Sequence, residues 1–502
     1  YPDLVRDWRP MDGAEKQIEP AIGGNVTFDP LAAALPVDEP AIREALDCDT
    51  GEFVDVKAWI GGQRYEELIA QRVSIRERLS QKPRFRCSLC SVPVYLVANQ
   101  FKHFFFRHIT EDGSCPAETR SPLSRDEILA RKYDGVRESE PHKRIKALIM
   151  RSLSADPSFS EILSERQWRS SHDERSRRQP DVQATRPMGR TAFEVQLSTT
   201  FLDVVAGRRS FYRQEDALLV WVMGKFDPDY RRLTTDDLLF TNNSNILVVD
   251  EETATLSEAV RRFHVRCHFR RPAREGDRLT DRWESRVIPF SELTCEKESQ
   301  RCWYFDYDRQ ASAIRAEIDK ELQERERATL DALRSELLSF WLSRKPNAAP
   351  DKNEVRAWTA LREALSERGV SLPSSPDEDS GFIALMNGVA SAKEGKPVGW
   401  NFKHLVEVAH RIADGYPQHI VAFGHAVRLF QRDEMLDEQD RTGKWKRRSA
   451  AIGASLRNGQ PDFAPDPASI LLVDFLMPGT KAKLEKINLA YVPAVSSVVT
   501  AS

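Results

Sequence analysis

Apolar and polar positions change period several times along the chain, and each change marks an expected element. Residues 1 to about 50 show little periodicity and predict an irregular lead-in. Residues 50 to 60, TGEFVDVKAWI, alternate after a Thr-Gly turn and predict a strand, and residues 63 to 80 read as a short charged helix. In RESEPHKRIKALIMRSL, residues 137 to 153, Ile145, Leu148, Ile149 and Leu153 recur at helical spacing. Residues 159 to 169 predict a strand, followed by a polar, arginine-rich connection. Residues 180 to 185 (PDVQAT) and 191 to 198 (TAFEVQLS) predict a hairpin turning at Pro187, Met188 and Gly189. A helix over 200 to 214 and a buried strand over 217 to 223, ALLVWVM, complete the series. The order helix, strand, strand, strand, helix, strand predicts a compact α/β unit with a mixed central sheet.

From Gln310 to Lys345 the period changes. Ile314, Ile318, Leu322, Leu330, Leu333, Leu337 and Trp341 fall at three- to four-residue steps without Gly or Pro, which predicts one long helix stopped by Pro346. Residues 352 to about 490 continue as helices separated by loops such as SLPSSPDEDSG. The expected plan is a lead-in over 1–50, a strand and cysteine-bearing region over 51–125 and an α/β domain over 126–305. A connecting helix over 306–345 and an all-helical C-terminal domain over 346–502 follow. No internal repeat and no Gly-rich phosphate loop stands out.

Composition narrows the class. The 502 residues are 40% hydrophobic and 30% charged, as in a soluble globular chain. Lys plus Arg is 74 against 77 for Asp plus Glu, a net charge of -3, so any basic surface for nucleic acid is local. No apolar run approaches the roughly 18 to 20 residues a membrane-spanning helix needs, no secretory signal is visible, and no membrane partner is expected. The seven cysteines, with three clustered, fit a reducing, cytoplasmic compartment and one metal site better than a disulfide framework.

Cys87 and Cys90 stand in CSLC, a spacing that lets both thiolates turn inward on one tight loop as a zinc knuckle. His108 and Cys115 are the natural second half, with His103 a rival for the third position. Four protein ligands leave no open position, so the expected Zn2+ is structural.

A second centre is suggested by carboxylates. Glu138 falls on an expected helix, Asp181 follows Arg178-Gln179-Pro180, and Glu194 lies in FEVQLS. Period two puts Glu194 and Gln196 on one face of their strand, opposite Phe193, Val195 and Leu197. Two such carboxylates can hold Mg2+ or Mn2+ through oxygen, and a bound cation activates water for attack on a phosphodiester. The plainer alternative is a solvated strand face. Arg208, Arg209 and Tyr212 recur at helical spacing downstream and could contact phosphate.

The succession CSLC, HFFFRH, Cys115, ESEPHKRIK, RRQPDV, FEVQLS, RRSFY and VWVM resembles the competence protein CoiA-like family over roughly residues 45 to 225. That resemblance implies a zinc-knuckle region followed by a restriction-endonuclease-like mixed-sheet core of the PD-(D/E)xK type. It implies catalytic roles for Glu138, Asp181, Glu194 and Gln196, with Asp181 and Glu194 on magnesium. It also implies that His142, Lys146, Arg178, Arg208 and Tyr212 serve nucleic-acid binding. Gln196 stands where the usual signature has lysine; a neutral amide can orient water but brings no charge.

The expected function is a metal-dependent endonuclease, DNA favoured over RNA, in competence or anti-phage defence, with the C-terminal helices serving a homodimer or a protein partner. The alternative is a zinc-containing module that binds nucleic acid without cutting it and recruits a partner. A third reading is a scaffold acting through residues 310 to 502. The loop holding Arg166, Arg169, Arg175, Arg177 and Arg178 either tracks a phosphate backbone or is merely solvated. His264, Cys267, His268, Cys295 and Cys302 read as core groups rather than a second zinc site, and His404, His410, His419 and His425 as ordinary helix residues.

Overall fold

A computed structural model of the protein describes residues 29–99, 101–111, 115–119, 140–196, 202–229, 231, 233–344, 351–458 and 461–489. The chain forms two compact units, the first ending at Ile318 and the second starting at Asp319.

The first unit is mixed α/β and begins with an antiparallel sheet in the order β2-β1-β3-β4-β5. Its strands are β1 (Glu44–Asp47), β2 (Glu52–Asp55), β3 (Phe85–Cys87), β4 (Pro93–Ala98) and β5 (Phe104–His108). Two expectations are corrected here. The lead-in is not wholly irregular, because β1 pairs with both β2 and β3. The strand expected over 50 to 60 stops at Asp55, whose carboxylate accepts from the amide of Ala58 and caps α1 (Val56–Gly61). An Asp here satisfies an amide that has no intrahelical partner, so a helix starts where alternation alone would continue a strand. Then comes α2 (Tyr65–Arg78).

The region of the larger sheet runs through α3 (Glu140–Ala155), β6 (Ser160–Ser164), β7 (Trp168–Arg169), β8 (Arg177–Arg178), β9 (Val182–Arg186), β10 (Gly189–Gln196), α4 (Leu202–Gln214) and β11 (Leu218–Met223). It continues through α5 (Leu233–Thr241), β12 (Asn245–Val248), α6 (Glu251–Val260), β13 (His264–Glu275) and β14 (Arg278–Pro289). Seven strands line up as β14-β13-β12-β11-β10-β9-β6. β9 and β10 form an antiparallel hairpin with Val182 opposite Phe193, and β10 runs parallel to β11. The strand expected over 159 to 169 is divided. Glu165 takes a positive φ of 51°, β6 ends before it, and β7 pairs with β8 as a separate ribbon.

Alternation in β10 sorts its side chains between two layers. Phe193 and Val195 pack with Ile145, Ile149 and Leu153 of α3. On the other face Leu202 and Val205 of α4 and Leu238 and Leu239 of α5 join Phe85, Phe104 and Ile246 in a core shared by both sheets. Arg72 of α2 pairs with Asp237 of α5 at 2.6 Å, both side chains being almost fully buried. The unit closes with a hairpin of β15 (Thr294–Glu296) and β16 (Arg301–Trp303), followed by α7 (Tyr307–Ser343), inside which the division between units falls.

The second unit carries α8 (Lys352–Ser366), α9 (Ser380–Glu394), α10 (Leu405–Gly415), α11 (Ile420–Leu429), α12 (Asp433–Gln439), α13 (Lys444–Arg457), α14 (Ile470–Leu476) and α15 (Lys481–Leu489). It contains no strand among the described residues. Trp341, Trp358, Leu385 and Phe423 lie in its core. Pro346 lies outside the described residues. Among the described residues no helix is long and apolar enough to cross a membrane.

Candidate metal centre and carboxylate site

The turn between β3 and β4 carries the first half of a cysteine–histidine cluster. Cys87 ends β3, its amide donating to Val92 at 3.0 Å and its carbonyl accepting from Ser91 at 2.9 Å. Ser91 adopts a φ of 59°, which closes the loop tightly behind Cys90. His108 is the last residue of β5 and lies opposite Val94, and Cys115 comes from the segment beyond. The four ligand atoms of Cys87, Cys90, His108 and Cys115 all lie within 4.8 Å of one another. Cys90 Sγ is 3.4 Å from His108 Nε2, and Cys87 Sγ is 4.0 Å from Cys115 Sγ.

Three thiols and an imidazole at these distances could hold a metal ion such as zinc. His108 is fully buried, and its Nδ1 faces Glu111 Oε1 at 3.1 Å and Thr119 Oγ1 at 3.3 Å. A carboxylate on one ring nitrogen fixes the tautomer and orients the other nitrogen towards a cation. Burial pushes the Cys87 thiol up, but the amides of Leu89 and Cys90 and the nearby His108 outweigh it and bring it to about 7. At Cys90 burial dominates and the thiol rises to about 11. His103, the rival ligand, is not in the cluster.

The carboxylate site forms where the hairpin of β9 and β10 meets α3 and α4. Asp181 sits immediately before β9, and its Oδ2 accepts from the amide of Val195 at 2.7 Å. His142 Nε2 of α3 lies 3.4 Å from the same oxygen. Burial pushes the Asp181 carboxyl up, but His142, the Val195 amide and the charge of Arg208 more than offset it and hold the group below the ordinary carboxylate range.

Glu194 is fully buried in β10, on the face that meets α4. Its Oε1 accepts from the hydroxyl of Tyr212 at 3.2 Å, and its Oε2 meets the guanidinium of Arg208 in an ion pair. A buried carboxylate is tolerable here because Arg208 and Tyr212 compensate it, and its oxygens are of the kind that suit a hard divalent cation. Gln196 ends β10 on the same face and is also buried.

Several expected roles change once the side chains are in place. Glu138 lies outside the described residues. Tyr212 is corrected: it is fully buried, so it cannot reach a phosphate backbone and instead steadies Glu194 from below. Lys146 is likewise buried and pairs with Glu165 rather than facing solvent. His142 and Arg208 are partly exposed beside the two carboxylates, and Arg178 is exposed on the ribbon with its guanidinium 5.5 Å from the Phe211 ring. We expect Tyr212→Phe to retain the ring packing but lower stability by about 1–3 kcal/mol, because a buried charged acceptor loses a donor. Thermal melting of the variant checks this, and an unchanged melt would contradict it.

Sequence reasoning missed the support around the site. Trp168 of β7 is buried and meets the Tyr212 ring edge-on at 5.4 Å, while the Arg190 guanidinium lies over the indole at 3.2 Å. Glu215 accepts from Ser170 Oγ at 2.6 Å and from the Ser171 amide at 3.0 Å, tying the ribbon to the end of α4. A tryptophan inside an arginine-rich stretch was the available signal, since a large apolar residue there asks for a burial partner.

Burial pushes the Glu215 carboxyl up, but the donors of Ser170 and Ser171 prevail and its pKa lies below the ordinary value. A depressed carboxylate contributes stability that is fully present above about pH 4.3 and lost as pH falls through the lower folded value. At neutral pH, Glu215→Ala is expected to speed amide exchange across residues 170–176 by roughly tenfold or more, read by hydrogen-exchange mass spectrometry. Unchanged exchange would show that the ribbon is held by Trp168 alone.

The remaining cysteines and histidines form no cluster of three or more metal-ligating groups among the described residues. Cys267 is buried with its Sγ 3.3 Å from Asn245 Oδ1, and Cys295 and Cys302 lie opposite each other in β15 and β16.

Residues 51–122 match the model of a domain of unknown function, DUF7830, and residues 126–308 match a second such domain, DUF6035. No curated protein matches the chain, and neither does any solved structure.

Proposed function

We propose that the first unit is a metal-dependent endonuclease of the PD-(D/E)xK type, cutting phosphodiester bonds in nucleic acid, with DNA favoured. The observation that carries this reading is the placement of Asp181 and Glu194 on the two arms of one hairpin. Asp181, just before β9, is held by the Val195 amide and His142, and Glu194, on the neighbouring antiparallel strand β10, is buried with its carboxylate facing Arg208 and Tyr212. The order α3-β6-β9-β10-α4-β11, interrupted only by the β7–β8 ribbon, supports a restriction-endonuclease-like core. The CoiA-like resemblance adds to it.

In this reading Asp181 and Glu194 hold Mg2+ or Mn2+. The ion, when bound, supplies a more acidic water and offsets charge on the phosphate. Asp181 is kept ionised by His142 and Arg208, ready to act as an oxygen ligand at neutral pH. Arg208, partly exposed beside Glu194, serves the phosphate. Gln196 orients water by hydrogen bonding alone. Zinc at Cys87, Cys90, His108 and Cys115 is structural. The second unit serves as an all-helical domain for a homodimer or protein partner, and the setting is the cytoplasm, in competence or anti-phage defence.

One arrangement favours the second reading, a module that binds without cutting: Glu194 is already paired with Arg208, and Gln196 brings no positive charge. Supercoiled plasmid incubated with the full chain and Mg2+ or Mn2+ separates the two. Nicking or linearisation supports the enzyme, and binding without cleavage under either metal supports the module.

A further inference from the structure

We propose that the β7–β8 ribbon is a clamp for the phosphodiester backbone, gripping the strand that leads into the Asp181–Glu194 site through Arg166, Arg169, Arg175 and Arg177. The inference rests on the nuclease reading and names the surface that holds its substrate.

Four observations carry it. First, Arg166, Arg169, Arg175, Arg177 and Arg178 are all exposed. Among the described residues, Arg166, Arg169, Arg175 and Arg177 have no carboxylate within ion-pair distance. Arginines elsewhere in the unit are commonly paired, as Arg72 is with Asp237 and Arg209 with Glu77. Second, Arg169 and Arg177 lie directly opposite each other across the ribbon. Like charges at that position oppose strand pairing, so the ribbon carries a cost that a bridging polyanion would relieve.

Third, two of the three nearest acids are turned to other uses, leaving Glu174 in the turn as the one acid against five arginines. Asp173 accepts from the amide of Arg175 at 3.0 Å within the turn, and Glu215 is bound to Ser170 and Ser171 at the ribbon's base. Fourth, the ribbon is a built element rather than a loose loop. Trp168 anchors it against Tyr212, and Tyr212 holds Glu194. The strand β8 also runs through Gln179 and Pro180 straight into Asp181, which places the last ribbon arginine within about 10 Å of chain from the site.

Backbone contacts of this kind give affinity without sequence preference and a strong dependence on salt. The chemistry recognised is the phosphodiester backbone. Parallel binding assays with a duplex DNA and a duplex RNA of the same sequence identify which source the ribbon favours.

The test is fluorescence anisotropy with labelled 30-base-pair duplexes and the full chain, titrated with KCl in Ca2+. The variant R166A/R169A/R175A/R177A is expected to bind on the order of 100-fold more weakly near 0.1 M salt. Its slope of log affinity against log salt should flatten by about 3 to 4. The quadruple lysine variant retains most binding, since charge is preserved. R278A/R282A, on the exposed edge strand β14, leaves binding unchanged. Wild-type affinity and slope in the quadruple alanine variant, with its thermal melt intact, overturn the clamp even where plasmid cleavage persists. Failure of the nuclease reading is separate, shown by no cleavage by the wild type under Mg2+ or Mn2+ whatever the ribbon does.

Discussion

Asp181→Ala is expected to reduce divalent-metal-dependent plasmid cleavage by about 1,000-fold or more, equivalent to roughly 4 kcal/mol of transition-state stabilisation. The size follows from what the side chain does. Its Oδ2 is held by the Val195 amide at 2.7 Å and faces His142 at 3.4 Å, so the carboxylate is fixed before any ion arrives. Removing it takes away a ligand and strands a histidine beside the remaining charge. Glu194→Ala should fall as far, but with a cost to folding as well, because Tyr212 and Arg208 lose the buried carboxylate they face. Comparing the two variants separates chemistry from stability. Asp181→Ala should cleave nothing measurable while losing less stability than Glu194→Ala, since it orphans the Val195 amide but leaves Arg208 its carboxylate. Cleavage that survives in Asp181→Ala at the wild-type rate would end the assignment of this site.

Cys90→Ser is expected to lower bound zinc from about one ion per chain to a small fraction of that, and to lower the melting temperature of the first unit by about 10 °C. The cluster lies where β3 ends, β4 begins and β5 ends, against a core that includes Phe85, Phe104 and Phe106. Metal binding free energy at such a site is folding free energy, since the ligands are gathered only in the folded state. Lowered pH should act in the same direction, because metal ligands must be deprotonated to bind. Elemental analysis of the purified chain, alongside differential scanning calorimetry, reads both effects. A chain without zinc that melts like the wild type would show that these four residues are only packed thiols and a core histidine.

Much of the carboxylate site was legible from local pattern. The hairpin of β9 and β10 was readable because strand period is two and a single register puts Phe193 and Val195 opposite Glu194 and Gln196. The helix of Ile145 to Leu153 was readable because its apolar spacing fits one face. Where local signals competed, reading failed. Asp55 caps a helix inside an apparently alternating stretch, and Glu165 turns the chain where a single strand was expected. In both cases a hydrogen bond or a backbone conformation that periodicity does not encode decided the outcome.

The cysteine cluster shows the same division. Spacing alone nominated Cys87 and Cys90 as one half, because a two-residue gap on a tight turn brings two sulfurs to one point. It left His108 and His103 both open, because the choice depends on which end of β5 returns to the knuckle. The pairing of Val94 with His108 settles that, and no residue-by-residue rule contains it.

The residue types and their periods were therefore fixed by the chain itself: a carboxylate just before one strand and another on its neighbour, a thiol pair on a turn, a basic stretch before Asp181. Only the tertiary structure assigned their surroundings. It sent Tyr212 inward to Glu194, paired Lys146 with Glu165, and anchored the ribbon through Trp168. Burial and partner choice depend on which distant elements pack together, and those contacts arise from the whole fold rather than from neighbours in sequence.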